Sequence, residues 1–111
     1  MAGMNVLIVF CTFPDIEKAR HAGTVLVESQ LAACVSLCPG VESIYRWRSQ
    51  VETSTEVLAI FKTTQDIFAK FQERLRELHP YEVPEIVAIT PAQVNADYAR
   101  WVAEETQGKT D

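Results

Sequence analysis

Two strand-forming runs stand back to back between two helix-forming stretches, and that order restricts the possible folds more than any other feature of the chain. From Val41 to Trp47, Val41, Ser43, Tyr45 and Trp47 alternate with Glu42, Ile44 and Arg46. Arg48-Ser49-Gln50 supplies a turn, and Val51 to Lys62 returns as the second arm. Leu31 to Leu37 is small and apolar and leads into the first arm, with Pro39-Gly40 interrupting it as a kink, bulge or edge would. The hairpin arms are then about twice the usual strand length of roughly five to six residues. The distal part, around Tyr45 to Val51, is expected to project beyond the sheet.

The flanking segments complete the order. Asn5 to Cys11 is a continuous apolar run rich in β-branched residues, as in a strand buried on both faces or at a sheet centre. Pro14, Asp15 and Glu17 open a helix from Asp15 to Ser29, with Ile16, Ala19, Gly23, Leu26 and Val27 at helical spacing. After the hairpin, Thr63 to Asp66 has the form of a capping box, and Ile67, Phe71, Leu75 and Leu78 form one stripe behind it. Pro80 stops that helix near His79, because a proline disfavours helical geometry in the residue before it. Glu85 to Thr90 reads as a fourth strand closed by Pro91. Asn95 caps a third helix whose Tyr98, Trp101 and Val102 share a face, and the polar tail 106–111 is expected to fray.

The reading is α+β: a ferredoxin-like βαββαβ sandwich with an extra C-terminal helix and a long hairpin between the second and third strands. Right-handed crossovers put strands one and three at the centre and strand four antiparallel beside strand one. The 111 residues form one domain with a core over about 5–105.

Charge and composition narrow the function. A formal net charge of −5 argues against a surface that tracks nucleic-acid phosphates. The longest apolar run, Val6 to Cys11, is far short of the roughly 20 residues of a membrane span, and the N-terminus lacks a signal peptide's pattern, so a cytoplasmic protein is expected. Cys11, Cys34 and Cys38 make an odd count with no Cys-x-x-Cys pair, so reduced thiols are expected.

Candidate chemistry concentrates in Leu78 to Ile86, where two prolines stiffen a loop that carries His79, Tyr81, Glu82 and Glu85. The topology places this corner at one pole of the sheet, with Cys11, Thr12, the start of the first helix and the hairpin tip. A thiol, an imidazole and carboxylates suit a borderline divalent ion, so Cys11, His79, Glu82 and Glu85 are candidate ligands for zinc or copper. The alternative is structural: a partly cationic His79 suits the end of a helix dipole, and the two glutamates can be solvated corner charges. A Cys11 nucleophile with a His79 base is the enzymatic alternative, for which the chain supplies no motif. His21 is expected to be an exposed helix residue. Tyr45, Trp47 and Val51 on the projecting hairpin need cover that one small domain does not offer, which predicts a homo-oligomer.

Several blocks taken together resemble the CutA family of divalent-cation-tolerance proteins: Cys11 to Asp15, Leu31 to Val35, Pro39-Gly40, Ser43 to Trp47, Lys62-Thr63 and Leu78 to Ile86. The resemblance implies a homotrimer whose long hairpins wrap neighbouring subunits, similar to the trimeric PII signalling proteins. It also implies a role in tolerance to copper and other divalent cations, with no established catalysis and with a metal that the fold does not require. Cys11 and His79 match the family's suspected metal positions. A PII-like small-ligand sensor or interaction scaffold is the alternative. The chain departs from the family pattern at Ser49 in the hairpin turn and at Val94 before the last helix, where glycine is usual.

Overall fold

A computed structural model describes residues 5–108 as β1 (Val6–Phe13), α1 (Ile16–Glu28), β2 (Cys34–Trp47), β3 (Gln50–Thr64), α2 (Phe68–Leu78), β4 (Val87–Ile89) and α3 (Ala96–Glu105). The four strands lie in the order β2-β3-β1-β4, and every neighbouring pair is antiparallel. This is the expected ferredoxin-like order, with β1 and β3 at the centre.

One sheet face carries the core. Val9, Cys11 and Phe13 on β1 pair with Phe61, Ala59 and Val57 on β3, and all six are buried. Ala19, Ala22 and Leu26 of α1 and Phe71 and Leu75 of α2 close over them. Close approach of α1 requires Gly23, where a Cβ would stand 2.9 Å from Val35 Cγ1. Asp15 caps α1 by accepting from the Lys18 N–H at 2.8 Å, as its position before the apolar stripe predicts.

The opposite face is covered only at one end, where Val6 and Ala33 pack with Ala99 and Val102 of α3. By strand alternation Ile8 and Phe10 point there, in register with Ile89 and Val87 of β4, and Phe10 is also paired with Ile60. Ile8, Phe10, Leu58 and Ile60 are only partly buried, while Val87 and Ile89 are exposed. An apolar field therefore runs across three strands.

The hairpin changes hands in its middle. Cys38 pairs with Leu58 but Val41 pairs with Glu56, so β2 contains one extra residue at Pro39-Gly40. Gly40 has φ +78°, a left-handed conformation that costs little only for glycine. One extra residue reverses which face each following side chain takes. Val35 and Leu37 pack on the core, whereas Ser43, Tyr45 and Trp47 share a face with Ser54, Glu52 and Gln50, the face of Glu56. Ile44, Arg46 and Val51 take the other side. Val51 lies across from Arg46 and so faces away from the Tyr45 and Trp47 rings.

Other expectations also change. Thr63 and Asp66 do not form a capping box: β3 continues to Thr64, Thr63 Oγ1 donates to the Leu31 carbonyl at 2.7 Å, and α2 starts at Phe68 behind Ile67 without a side-chain cap. Leu31 to Ala33 form a buried turn rather than the start of β2, with the Leu31 and Ala32 N–H groups donating to Leu26 O. β4 is only Val87–Ile89, so Glu85 lies in the loop before it. On α3 the buried residues are Ala99 and Val102, while Tyr98 and Trp101 stay about 40% exposed. The tail is tied down as far as Gly108: Thr106 Oγ1 donates to Val102 O at 2.7 Å, and the Gly108 N–H donates to Gln30 O at 2.9 Å. Positions 109–111 lie outside the described residues.

Candidate functional site

α2 ends where Pro80 forces it to, and His79 leaves the helix in an extended conformation, with ψ 134°. That exit swings the imidazole over the end of β1. Its ring stacks on Phe13 at 4.5 Å between centroids, and the residue is only 8% exposed. Both ring nitrogens are used. Thr12 O, which can only accept, lies 2.7 Å from Nε2, and the Tyr81 N–H, which can only donate, lies 3.1 Å from Nδ1. The proton is therefore on Nε2 and the imidazole is neutral. Burial lowers its pKa, opposed by the hydrogen bond to Thr12 and the charge of Glu56. A cationic His79 completing a helix dipole is not what the structure shows.

Tyr81 carries the corner onto the hairpin. β1 stops at Phe13, opposite Val57, and just beyond that end the Tyr81 hydroxyl donates to Glu56 Oε2 at 2.5 Å. Glu56 is 8% exposed and takes part in no ion pair among the described residues. Desolvation and the neighbouring Glu56 raise the Tyr81 pKa, so the phenol keeps its proton and stays a donor. Residues 56 and 81 are far apart in sequence, and their pairing depends on where β1 ends. The only signal in the sequence is an acid at a strand position followed directly by the apolar Val57 to Phe61.

The four proposed ligands do not converge within one chain. Cys11 is completely buried, its Sγ lies 3.9 Å from Thr12 O, and burial pushes the thiol up to about 12, with Glu85 and Glu56 adding to the shift. It is a core thiol with no share in a dyad, since both His79 nitrogens bond elsewhere. Glu82 points to the hairpin tip, where Arg48 Nη2 stands 3.4 Å from its Oε1. Glu85 is an exposed loop residue. Among the described residues no group of three or more His, Cys, Asp and Glu side chains is arranged to hold a metal ion.

These elements enclose a cleft of about 890 Å³ between the distal hairpin and the corner. Thr12, Tyr45, Trp47, Glu56, Tyr81 and Glu85 are among its walls, and Glu82 stands at its rim with Arg48. The turn that presents Arg48 has φ 51° at Arg48 and 68° at Ser49, the left-handed pair that a two-residue hairpin turn requires. Ser49 adopts this geometry without being glycine.

Residues 7–105 match the family model described as CutA1 divalent ion tolerance protein. The chain belongs to the CutA1 family. A divalent-cation tolerance protein CutA from Thermus thermophilus is 48% identical over 99 residues, covering 89% of this chain and 96% of the relative. The solved CutA from Xylella fastidiosa superposes with a TM-score of 0.90 at 36% identity, over 93% of this chain and 99% of that one. The CutA1 from Thermus thermophilus gives 0.88 at 46% identity, over 91% and 98%. The CutA1 fold thus accounts for nearly the whole chain. None of its described helices is long and apolar enough to cross a membrane.

Proposed function

We propose that this CutA1 member acts in the cellular response to divalent cations as a non-catalytic homotrimer, resident in the cytoplasm, whose cation-binding surface is the acidic cleft at the pole. The observation that carries the reading is the cleft, whose lining includes the exposed carboxylates of Glu82 and Glu85, in a family named for divalent-ion tolerance. Solvent-reached oxygen donors suit a divalent ion that keeps part of its water shell or completes it from a neighbouring copy. Copper is the expected strongest binder in solution, since the Irving–Williams order favours it at almost any such surface.

Self-association is supported by what the fold leaves bare. Ile8, Phe10, Ile60, Val87 and Ile89 form one apolar field on the sheet face that α3 covers only near Val6, and Ile44 and Val51 are 70% and 65% exposed on the hairpin arm. Contiguous apolar surface of this kind marks an interface. A buried Cys11 thiol held protonated and a His79 whose nitrogens are both engaged speak against the Cys11–His79 nucleophile–base pair and support a non-catalytic reading.

Calorimetry with copper and zinc tests the assignment. A Glu82→Gln, Glu85→Gln double variant is expected to bind about tenfold more weakly or worse, while Cys11→Ser binds like the native protein. Equal affinity of the double variant and the native protein would remove the carboxylates from the site.

A further inference from the structure

We infer that His79 is an acid-released latch: the neutral imidazole holds residues 80–86 against the end of β1, and protonation of the ring frees that loop while the sheet and helices stay folded. The latch concerns the position of the loop and holds whether or not the cleft takes up a cation. Because residues 80–86 carry Glu82 and Glu85, it also sets where those carboxylates stand.

The two ring nitrogens have opposite duties. Nε2–H donates to Thr12 O at 2.7 Å, and Nδ1 accepts the Tyr81 N–H at 3.1 Å. A second proton goes on Nδ1 and sets one N–H against another. Turning the ring over brings no relief, because an imidazolium donates from both nitrogens. One partner must leave, and the surroundings decide which. Thr12 lies in β1, paired with Leu58 of β3, and its carbonyl bonds a cationic donor more strongly than a neutral one. The Phe13 ring on which His79 is stacked also favours the cation.

Residue 81 has no such anchorage. Among the described residues, positions 80–85 take part in no backbone–backbone hydrogen bond outside the helices and strands. Three polar ties hold the loop: the Tyr81 N–H to His79, the Tyr81 hydroxyl to Glu56, and Glu82 to Arg48. The last is more than two-thirds exposed on both sides and holds weakly. The first is the one tie made by the loop's backbone, and protonation removes it.

The groups around the ring set where the latch opens. Burial opposes protonation, whereas the Thr12 carbonyl and the charge of Glu56 on β3 favour it. Cys11 on β1 and Tyr81 in the loop keep their protons. Asp15, just beyond β1, is taken by Lys18 of α1, and α2 contributes the Arg76 carbonyl, which accepts the His79 backbone N–H at 3.4 Å. Glu82 and Glu85 are exposed, and neither is a hydrogen-bond partner of the ring. The loop is therefore fully held above pH 6.5 and is released as pH falls through the lowered folded value.

The test is nitrogen-15 NMR of the full chain in buffer with EDTA, in a His21→Gln background so that a single imidazole is observed. The ring should show the Nε2–H tautomer at neutral pH. On acidification the Tyr81 amide shift should follow ring protonation with one shared midpoint below 6.5. Its protection from exchange, taken relative to an unstructured chain at the same pH, should fall about tenfold or more, while Val9, Ala59 and Phe61 keep theirs. His79→Asn offers an amide oxygen near the position of Nδ1, an acceptor that does not titrate, and should keep the Tyr81 amide protected over the same range. Where that variant does not fold, the native titration decides alone. An Nδ1–H tautomer at neutral pH, a Tyr81 amide that ignores ring protonation, core strands that lose protection with the loop, or an acid response that survives in folded His79→Asn would each overturn the proposal.

Discussion

The two halves of one hairpin live in different surroundings. Below Pro39-Gly40, Val35 and Leu37 face Phe61 and Ala59 and pack on the core beside α1. Above it, Ile44, Tyr45, Trp47 and Val51 are all exposed. The ladder is continuous apart from the bulge, so backbone pairing alone does not separate the halves. Side-chain burial does: the lower half is held by its own chain's core, and the upper half is an arm whose large side chains that core leaves exposed.

The largest expected effect tests that division directly. Phe61→Ala opens a cavity among fully buried residues and should lower stability to urea by about 3–5 kcal/mol, whereas Val51→Ala on the arm should cost no more than about 0.5 kcal/mol in the separated chain. Comparable losses would erase the distinction. Next comes the link between corner and arm. Tyr81→Phe deletes the donor to Glu56 and should cost about 1.5–3 kcal/mol, read from urea midpoints at neutral pH. A negligible loss would mean that the corner does not brace the arm.

The bulge itself should be less costly to disturb. Gly40→Val forces a β-branched residue to φ +78°, although no atom lies within 4 Å of the added Cβ, and should destabilise by about 1–3 kcal/mol. Because space is open, strain alone is measured. Smallest is the arm's end: Ser49→Gly, at φ 68°, should stabilise by about 0.5–1 kcal/mol, visible as a modest rise in Tm.

The same regions respond differently to pH. His79 has a folded pKa below 6.5, so its contribution is complete above pH 6.5 and is lost as pH falls through the folded value. Cys11 is raised from 9.0 to about 12, so its contribution is complete below pH 9 and is lost as pH rises toward 12. Cys11→Ala should flatten the alkaline limb of a stability profile and leave the acid limb unchanged.

Much of this architecture is written in local pattern. The continuous apolar run before Cys11 and the stripes at Ala19, Gly23, Leu26 and at Phe71, Leu75 specify strand and helix, and from the order follows the pole where His79 meets Thr12 and Arg48 meets Glu82. Availability is what local pattern does not encode. Cys11 and His79 have the right chemistry for a ligand set, but the first lies under the helices and the second is saturated by backbone groups that only the folded corner brings near. Thr63 and Asp66 spell a helix cap, yet the pairing of Thr63 with Leu7 extends the strand past it. Pro39-Gly40 signals an irregularity, but whether it adds a residue to the ladder, and so turns Tyr45 and Trp47 away from Val51, depends on a register that the sequence leaves open.

Amide hydrogen exchange across the hairpin, in the native protein and in a Val51→Asp variant designed to block the proposed self-association, tests the central division most directly. The account predicts protection of both halves in the native protein. In the variant, residues 41–55 should exchange quickly while Val57 to Phe61 and Val6 to Phe13 stay protected. If the two halves lost protection together, or the arm exchanged at the same rate in both proteins, the hairpin would not be divided at Gly40.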